Sequence, residues 1–289
     1  MGAKKWVLGA RPRTLPAAVV PVALGAGVAV GVGHPVWWRG ALALVVSLAL
    51  QVGVNYANDY SDGVRGTDEV RVGPVRLVAG RLASPAAVKR AALVAFGVAA
   101  VAGLVLAIVT SWWLIALGMV SILAAWGYTG GPKPYGYLGF GELFVFVFFG
   151  LVATVGTTFV ITEQLPSLAW IAGSIAGCLS CALLVINNLR DIPTDTEHGK
   201  RTLAVRLGDR RTRLLYQALL VAAAALVVVA GVQRPPALIG LAGLLAAWPP
   251  VRAVRGGAGG RSLIPVLGGT GRVQLLVGLL TALGLALGG

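Results

Sequence analysis

Two groups of side-chain oxygens stand out in a chain that is otherwise poor in acid. The first is Asn55, Asn58, Asp59 and Asp62, running on through Gly66 and Thr67 to Asp68. The second is Asn187, Asn188, Arg190, Asp191 and Asp195. Only ten of 289 residues are Asp or Glu, and five of the ten are aspartates of these groups. Residues three or four apart share a helix face, so Asn58 and Asp59 each align with Asp62, and Asp191 with Asp195. Carboxylates crowded this way repel, and some must take up protons unless a cation neutralises them. An oxygen-only donor set favours magnesium, which commonly sits between one or two carboxylates and the phosphates of a substrate. A divalent cation and a polyphosphate ligand are therefore expected. A pair of solvated, salt-bridged helix ends is the alternative, and two such groups at equivalent positions of a repeat argue against it.

Basic residues lie close by. Arg65 and Arg71 follow the first group, Lys200 and Arg201 follow the second, and Lys133 lies in the loop between Tyr128 and Tyr137. Singly each reads as a topology residue; as a set they suit a departing diphosphate. No Ser-His pair, reactive cysteine or histidine offers a nucleophile in these loops. Ionisation of an allylic diphosphate ester needs none, but its carbocation must be kept from water. Tyr128, Tyr135, Tyr137, Phe140 and Trp126 are candidates to line such a cavity and stabilise positive charge with their ring faces. They serve equally well as an interfacial aromatic belt.

The elements that hold these residues are membrane spans. The chain is 57% hydrophobic and 12% charged, with a mean hydropathy of +0.84, against about 25% charged residues in a soluble domain. A span needs about twenty apolar residues, and nine segments approach that: 14–33, 38–58, 88–109, 112–128, 141–162, 168–189, 213–232, 236–251 and 272–288. Loops then alternate sides, and all but Arg39 and Arg234 of the 24 Lys and Arg residues fall on one of them. The positive-inside rule makes that side, and both acidic groups, cytoplasmic. Topology thus explains a net charge of +14 that in a soluble chain would suggest nucleic acid. The basic residues Lys4, Lys5, Arg11 and Arg13 precede an apolar segment with no convincing cleavage site, so a retained span is expected rather than a signal peptide. Cys178 and Cys181 lie in an apolar segment and read as small packing residues; His34 and His198 have no companion ligands.

Asn58 and Asn188 are 130 residues apart and end the second and sixth segments. Four spans separate them, and an even number preserves orientation. The predicted fold is all-α: a polytopic membrane bundle of about nine transmembrane helices, two parallel four-helix halves plus a ninth helix, in a single domain over residues 1–289. Parallel halves bring the two acidic helix ends together around a central cavity.

These residues resemble the UbiA superfamily of intramembrane prenyltransferases. Asn58 to Asp68 is similar to its first aspartate-rich motif and Asn188 to Asp195 to its second. Three stretches resemble the branch that prenylates 1,4-dihydroxy-2-naphthoate in menaquinone synthesis: Gly66 to Asp68 followed by Gly73, Pro74 and Arg76; Pro132 to Glu142; and Asn187 through Gly199, Lys200, Thr202 and Arg206 to Gly208. Many relatives carry an aspartate four residues after the position of Asp62, where this chain has Gly66 and brings the acid at Asp68.

The resemblance implies an integral protein of the bacterial cell membrane with its site facing the cytoplasm. Asn58, Asp62, Asp191 and Asp195 would hold Mg2+ bridged to a polyprenyl diphosphate, helped by Asp59 and Asp68. Lys133, Arg190 and Lys200, with Arg65 and Arg201 nearby, would contact the diphosphate, and Tyr128 would face the cation. The acceptor would attack through the ring carbon bearing its carboxylate, losing CO2 and leading to demethylmenaquinone. Arg11 and Arg13 are the expected orienters of the acceptor carboxylate. A sister enzyme using 4-hydroxybenzoate, a chlorin, haem or an activated sugar shares the metal and diphosphate residues and stays open. A cation-coupled carrier would keep its acids near mid-membrane, whereas these sit at helix ends.

Overall fold

The computed structural model describes residues 2–66 and 76–289; Asp68, Arg71, Gly73 and Pro74 lie outside them. Every regular element among the described residues is helical. Ten helices follow in order: α1 (Gly2–Ala10), α2 (Pro16–Ala29), α3 (Trp37–Val64), α4 (Pro85–Val109), α5 (Trp113–Gly127), α6 (Gly141–Thr162), α7 (Ser167–Glu197), α8 (Leu203–Gln233), α9 (Pro235–Arg255) and α10 (Gly260–Leu287). Seven, α3, α4 and α6 to α10, are long and apolar enough to cross a bilayer, and α1 with α2 makes an eighth if that pair, bent by 53°, is one span. The fourth expected span, α5, is an apolar helix of only 15 residues.

Sequence and structure differ most at helix ends. The basic N-terminal stretch, expected only to precede the first span, forms α1. It ends at Arg11, whose left-handed φ of 51° turns the chain into a short 3-10 turn and then α2. Tyr56 anchors α1 across α3, donating to the Trp6 carbonyl at 2.7 Å with the two rings edge to face. Helices α3 and α7 run past the apolar residues that announced them and carry the acidic groups in their last turns. Helix α8 starts ten residues before the expected 213 because Thr202 caps it, and Gly208, at φ 75°, breaks it once.

Two irregular stretches have sequence causes. In α9, residues 235–247 are wound as a 3-10 helix. Ala237, Gly240 and Gly243 are buried at a spacing of three, which lines up along one face only at three residues per turn, and that face lies against Val277 and Thr281 of α10. In α6, Phe146–Val152 is a π-helix. It packs on α7, with Gly150 against Gly173 and Gly177, where small residues let the two backbones approach.

The core runs along α7, whose apolar residues from Leu168 to Leu189 pack with α2, α8, α9 and α10. A separate cluster joins α1, α3 and α4 around Tyr56 and Phe96. In each expected half the second helix packs most extensively on the third, α3 on α4 and α7 on α8.

Candidate active site

The last turns of α3 and α7 face one another across a cavity of about 650 Å3. Asn58, Asp59, Asp62, Asn188, Arg190, Asp191 and Asp195 all line it. The two ends, expected to meet, are joined by Lys200 in the turn after α7, whose ammonium lies 3.2 Å from Asp62 and 3.9 Å from Asp195. Burial alone would lower the Lys200 pKa; Asp62, Tyr137 and Asp195 more than offset it, and the ammonium is held above its ordinary value.

Each carboxylate has a distinct setting. Asp62 also accepts a hydrogen bond of 2.5 Å from the Tyr137 hydroxyl. Burial first, and then the Asp62 charge, raise the Tyr137 pKa, so the phenol keeps its proton and donates it. Asp59 accepts from the backbone N–H groups of Leu77 and Val78, at 2.8 and 3.0 Å, tying the chain that leads into α4 to the site. Asp191 receives a two-point contact from Arg190, at 2.6 and 2.7 Å, while Arg190 also reaches Asn187 at 2.9 Å. Asn58 accepts from Thr129 at 2.7 Å and Asn188 donates to Glu142 at 3.0 Å, so each carboxamide fastens its acidic turn to the neighbouring helix hairpin.

The other expected residues divide. Arg11, Arg13, Tyr128, Tyr135 and Tyr137 line the cavity. Arg65 is turned away: its guanidinium donates to the carbonyls of Thr129 and Gly131 and lies 5.4 Å from the Tyr137 ring. Lys133 and Arg201 are exposed and outside the cavity wall. Phe140 and Trp126 do not line it either; Phe140 is half exposed and Trp126 packs on Tyr60. In their place an aromatic column descends from the acidic end. Tyr128 meets Tyr135 edge-on at 5.6 Å, Tyr135 stacks on Phe144 at 3.9 Å, and Phe144 stacks on Phe148 at 5.9 Å.

Sequence reasoning named Asn55 but missed Gln51 and Thr14, which join it in a second polar patch of the same wall. Gln51 donates to Thr14 and Asn55, and Asn55 donates to Thr14 and to the Ala10 carbonyl, beside Arg11. The signal was present, because Gln51, Asn55, Asn58 and Asp62 follow one another at spacings of four, three and four along one face of α3. Buried Arg76, which also lines the cavity, was quoted only as part of a motif.

Residues 18–262 match the sequence pattern described as the UbiA prenyltransferase family. The chain belongs to the UbiA prenyltransferase family. Among its relatives, the 1,4-dihydroxy-2-naphthoate octaprenyltransferase of Mycobacterium tuberculosis is 54% identical over 284 residues, covering 98% of this chain and 97% of that one. The protein of the same name from Escherichia coli is 37% identical over 229 residues, covering 74% and 72%. A UbiA homolog from Aeropyrum pernix K1 shares the fold with a TM-score of 0.70 at 15% identity, covering 91% of this chain and 95% of that one. A UbiA homolog from Archaeoglobus fulgidus, solved bound to GPP and Mg2+, does so with a TM-score of 0.69 at 13% identity, covering 98% and 99%. In this UbiA family member, no three carboxylate, histidine or thiol groups among the described residues stand close enough to hold a metal ion by themselves.

Proposed function

We propose that this chain is a magnesium-dependent prenyltransferase that joins a polyprenyl chain to 1,4-dihydroxy-2-naphthoate, releasing CO2 and diphosphate, at the cytoplasmic side of a bacterial cell membrane. One observation carries the reading: two acidic helix ends, bridged by Lys200, form the polar end of a cavity from which an aromatic column descends. Near-full-length similarity to proteins named for that acceptor supports the choice of naphthoate. The reading takes α2 to α10 as nine spans of a single domain, two parallel four-helix halves followed by α10. The matching α3–α4 and α7–α8 pairings support it.

Asn58, Asp62, Asp191 and Asp195, helped by Asp59 and Asp68, are assigned to Mg2+. The all-oxygen donor set fits that ion, which commonly sits between one or two carboxylates and the phosphates of a substrate. Bound magnesium would neutralise the diphosphate and ease its departure. Lys200 and Arg190 face the leaving group; Tyr137 orients Asp62, and the Tyr128 to Phe148 column shields the allylic cation. The allylic C–O bond breaks with its electron pair leaving on diphosphate. The ring carbon bearing the carboxylate forms the new C–C bond, and the bond to CO2 then breaks, its electrons restoring the aromatic ring. No proton leaves the ring, and the cavity wall carries no histidine. The product is the quinol form of demethylmenaquinone. Arg11 and Arg13, beside the Gln51–Asn55 patch, orient the acceptor carboxylate. Arg65, Lys133 and Arg201 act from outside the cavity, raising the local concentration of the anionic donor.

The test is a magnesium-dependent assay on purified protein, offering a polyprenyl diphosphate with either 1,4-dihydroxy-2-naphthoate or 4-hydroxybenzoate. Prenylated product and CO2 from the naphthoate alone are expected. Product from 4-hydroxybenzoate moves the acceptor, and transfer to neither overturns the reading.

A further inference from the structure

Glu142, the second residue of α6, is buried and does not itself line the cavity. It is fastened to α7 at two points. Its backbone carbonyl accepts from the Cys181 thiol at 3.1 Å, and its Oε1 accepts from the Asn188 Nδ2 at 3.0 Å. Cys181 and Asn188 are seven residues apart, two turns along one face of α7. The other carboxyl oxygen, Oε2, is buried and makes no hydrogen bond among the described residues. A half-satisfied carboxyl group inside a helix bundle costs stability, and an apolar side chain of similar volume would fill the place without that cost. Packing therefore does not explain the residue.

A carboxamide can present either of two ends to a neighbour, an oxygen that accepts or an N–H2 that donates. Glu142 takes up the nitrogen end of Asn188. The oxygen end is what remains for the cavity that Asn188 lines; it accepts no hydrogen bond among the described residues and is not buried. Asn188, Asp191 and Asp195 follow one another at spacings of three and four, so they share a face of α7, and all three line the cavity. Asn58 of the first acidic end spends one of the two lone pairs of its Oδ1 on the Thr129 hydroxyl. Asn188 keeps both.

We propose that Glu142 is a positioning residue: it holds the Asn188 amide nitrogen away from the cavity and so presents the Asn188 Oδ1 as a further oxygen donor to the cation of the second acidic end. The inference rests on the prenyltransferase reading, which assigns a cation to these ends. Without Glu142 the carboxamide is free to turn its N–H2 inward, and that end repels a cation. A group that orients a metal ligand from behind is worth roughly tenfold to a hundredfold in metal affinity. The unpaired Oε2 is the cost of placing that group in the core, and the Cys181 contact fixes the backbone from which it reaches.

Glu142→Met removes the acceptor and fills its space, and Glu142→Gln keeps an accepting oxygen at the same reach. Mn2+, an oxygen-seeking ion visible by electron paramagnetic resonance, is titrated into purified protein in the presence of an unreactive geranyl thiodiphosphate, and unfolding temperatures are measured alongside. In Glu142→Met the Mn2+ Kd should rise roughly tenfold to a hundredfold, with the unfolding temperature unchanged or higher. Glu142→Gln should recover most of the affinity. Asn188→Ala should weaken Mn2+ binding to a similar degree, and the double variant with Glu142→Met should be no weaker than Asn188→Ala alone, because one residue acts through the other. Unchanged Mn2+ affinity in Glu142→Met, or losses that add in the double variant, overturns the inference. So does a fall in the unfolding temperature of Glu142→Met, the sign of a carboxylate that only supports the fold. Wild-type protein that binds no Mn2+ with the analogue overturns the cation assignment itself, and this inference with it.

Discussion

The ammonium of Lys200 lies 3.2 Å from Asp62, across 138 residues of sequence, and donates a hydrogen bond to it. The side chain thereby spans the two acidic ends, and its face also lies 4.5 Å from the Tyr137 ring. Lys200→Met removes the shared cation and leaves Asp62 and Asp195 facing each other. Turnover should fall on the order of a hundredfold, the usual cost of losing one preorganised charge at a leaving group. Steady-state kinetics with a polyprenyl diphosphate checks this, and Lys200→Arg should recover part of the loss.

Asp62→Ala and Asp191→Ala should each abolish measurable transfer while the protein still inserts and elutes as a folded species in detergent. Near-normal activity in either variant would sink the two-cluster mechanism. Asp59 is expected to behave differently. Its carboxylate accepts two backbone N–H groups, so Asp59→Ala should cost about 1–3 kcal/mol of stability for the buried donors it strands, visible as a lower unfolding temperature.

Tyr137→Phe keeps the ring that Arg65 and Lys200 approach and removes only the hydroxyl that donates to Asp62. A hydrogen bond to a charged group is worth roughly 1.5–3 kcal/mol, so turnover should drop about tenfold to a hundredfold on the scale of 1.4 kcal/mol per decade. Unchanged kinetics would show that the phenol has no part in holding Asp62.

Removing divalent cations with a chelator should stop transfer, and adding Mg2+ should restore it, with no change in helix content by circular dichroism. The fold rests on apolar packing along α7, not on an ion. Loss of helix on chelation would contradict that account.

Much of the architecture was legible because membrane spans announce themselves by length and apolarity, and both acidic groups were found where α3 and α7 end. Helix termini were less legible. Thr202 caps α8 well before its apolar stretch begins, and the bent α1–α2 entry depends on Arg11 taking a left-handed conformation that no residue pattern requires. The cavity wall was read in part. Tyr128 and Tyr135 were identified, but Phe144 and Phe148, the second of them in the π-helical stretch of α6, looked like ordinary span residues. Whether a basic side chain faces a cavity or its own loop is a tertiary matter. Arg65 is spent on the carbonyls of Thr129 and Gly131, and its neighbours in sequence give no hint of that.

Arg39 and Arg234 are the only Lys or Arg residues on the far side in the proposed orientation, Arg39 part-buried and Arg234 buried. Arg39 donates to the carbonyls of Val109 and Val160 and pairs with Glu163; Arg234 donates to those of Gly27 and Leu285. Each guanidinium thus sits where two helices end, against the partial negative charge that a helix carries at its C-terminus. Four of the helices that finish on that side are tethered in this way by two side chains. In the proposed orientation the outer face of the molecule is then close to electrically silent. The field that orients it in the membrane comes almost wholly from the opposite surface, and a single new lysine on an outer loop would disturb that asymmetry more than its small share of the total charge suggests.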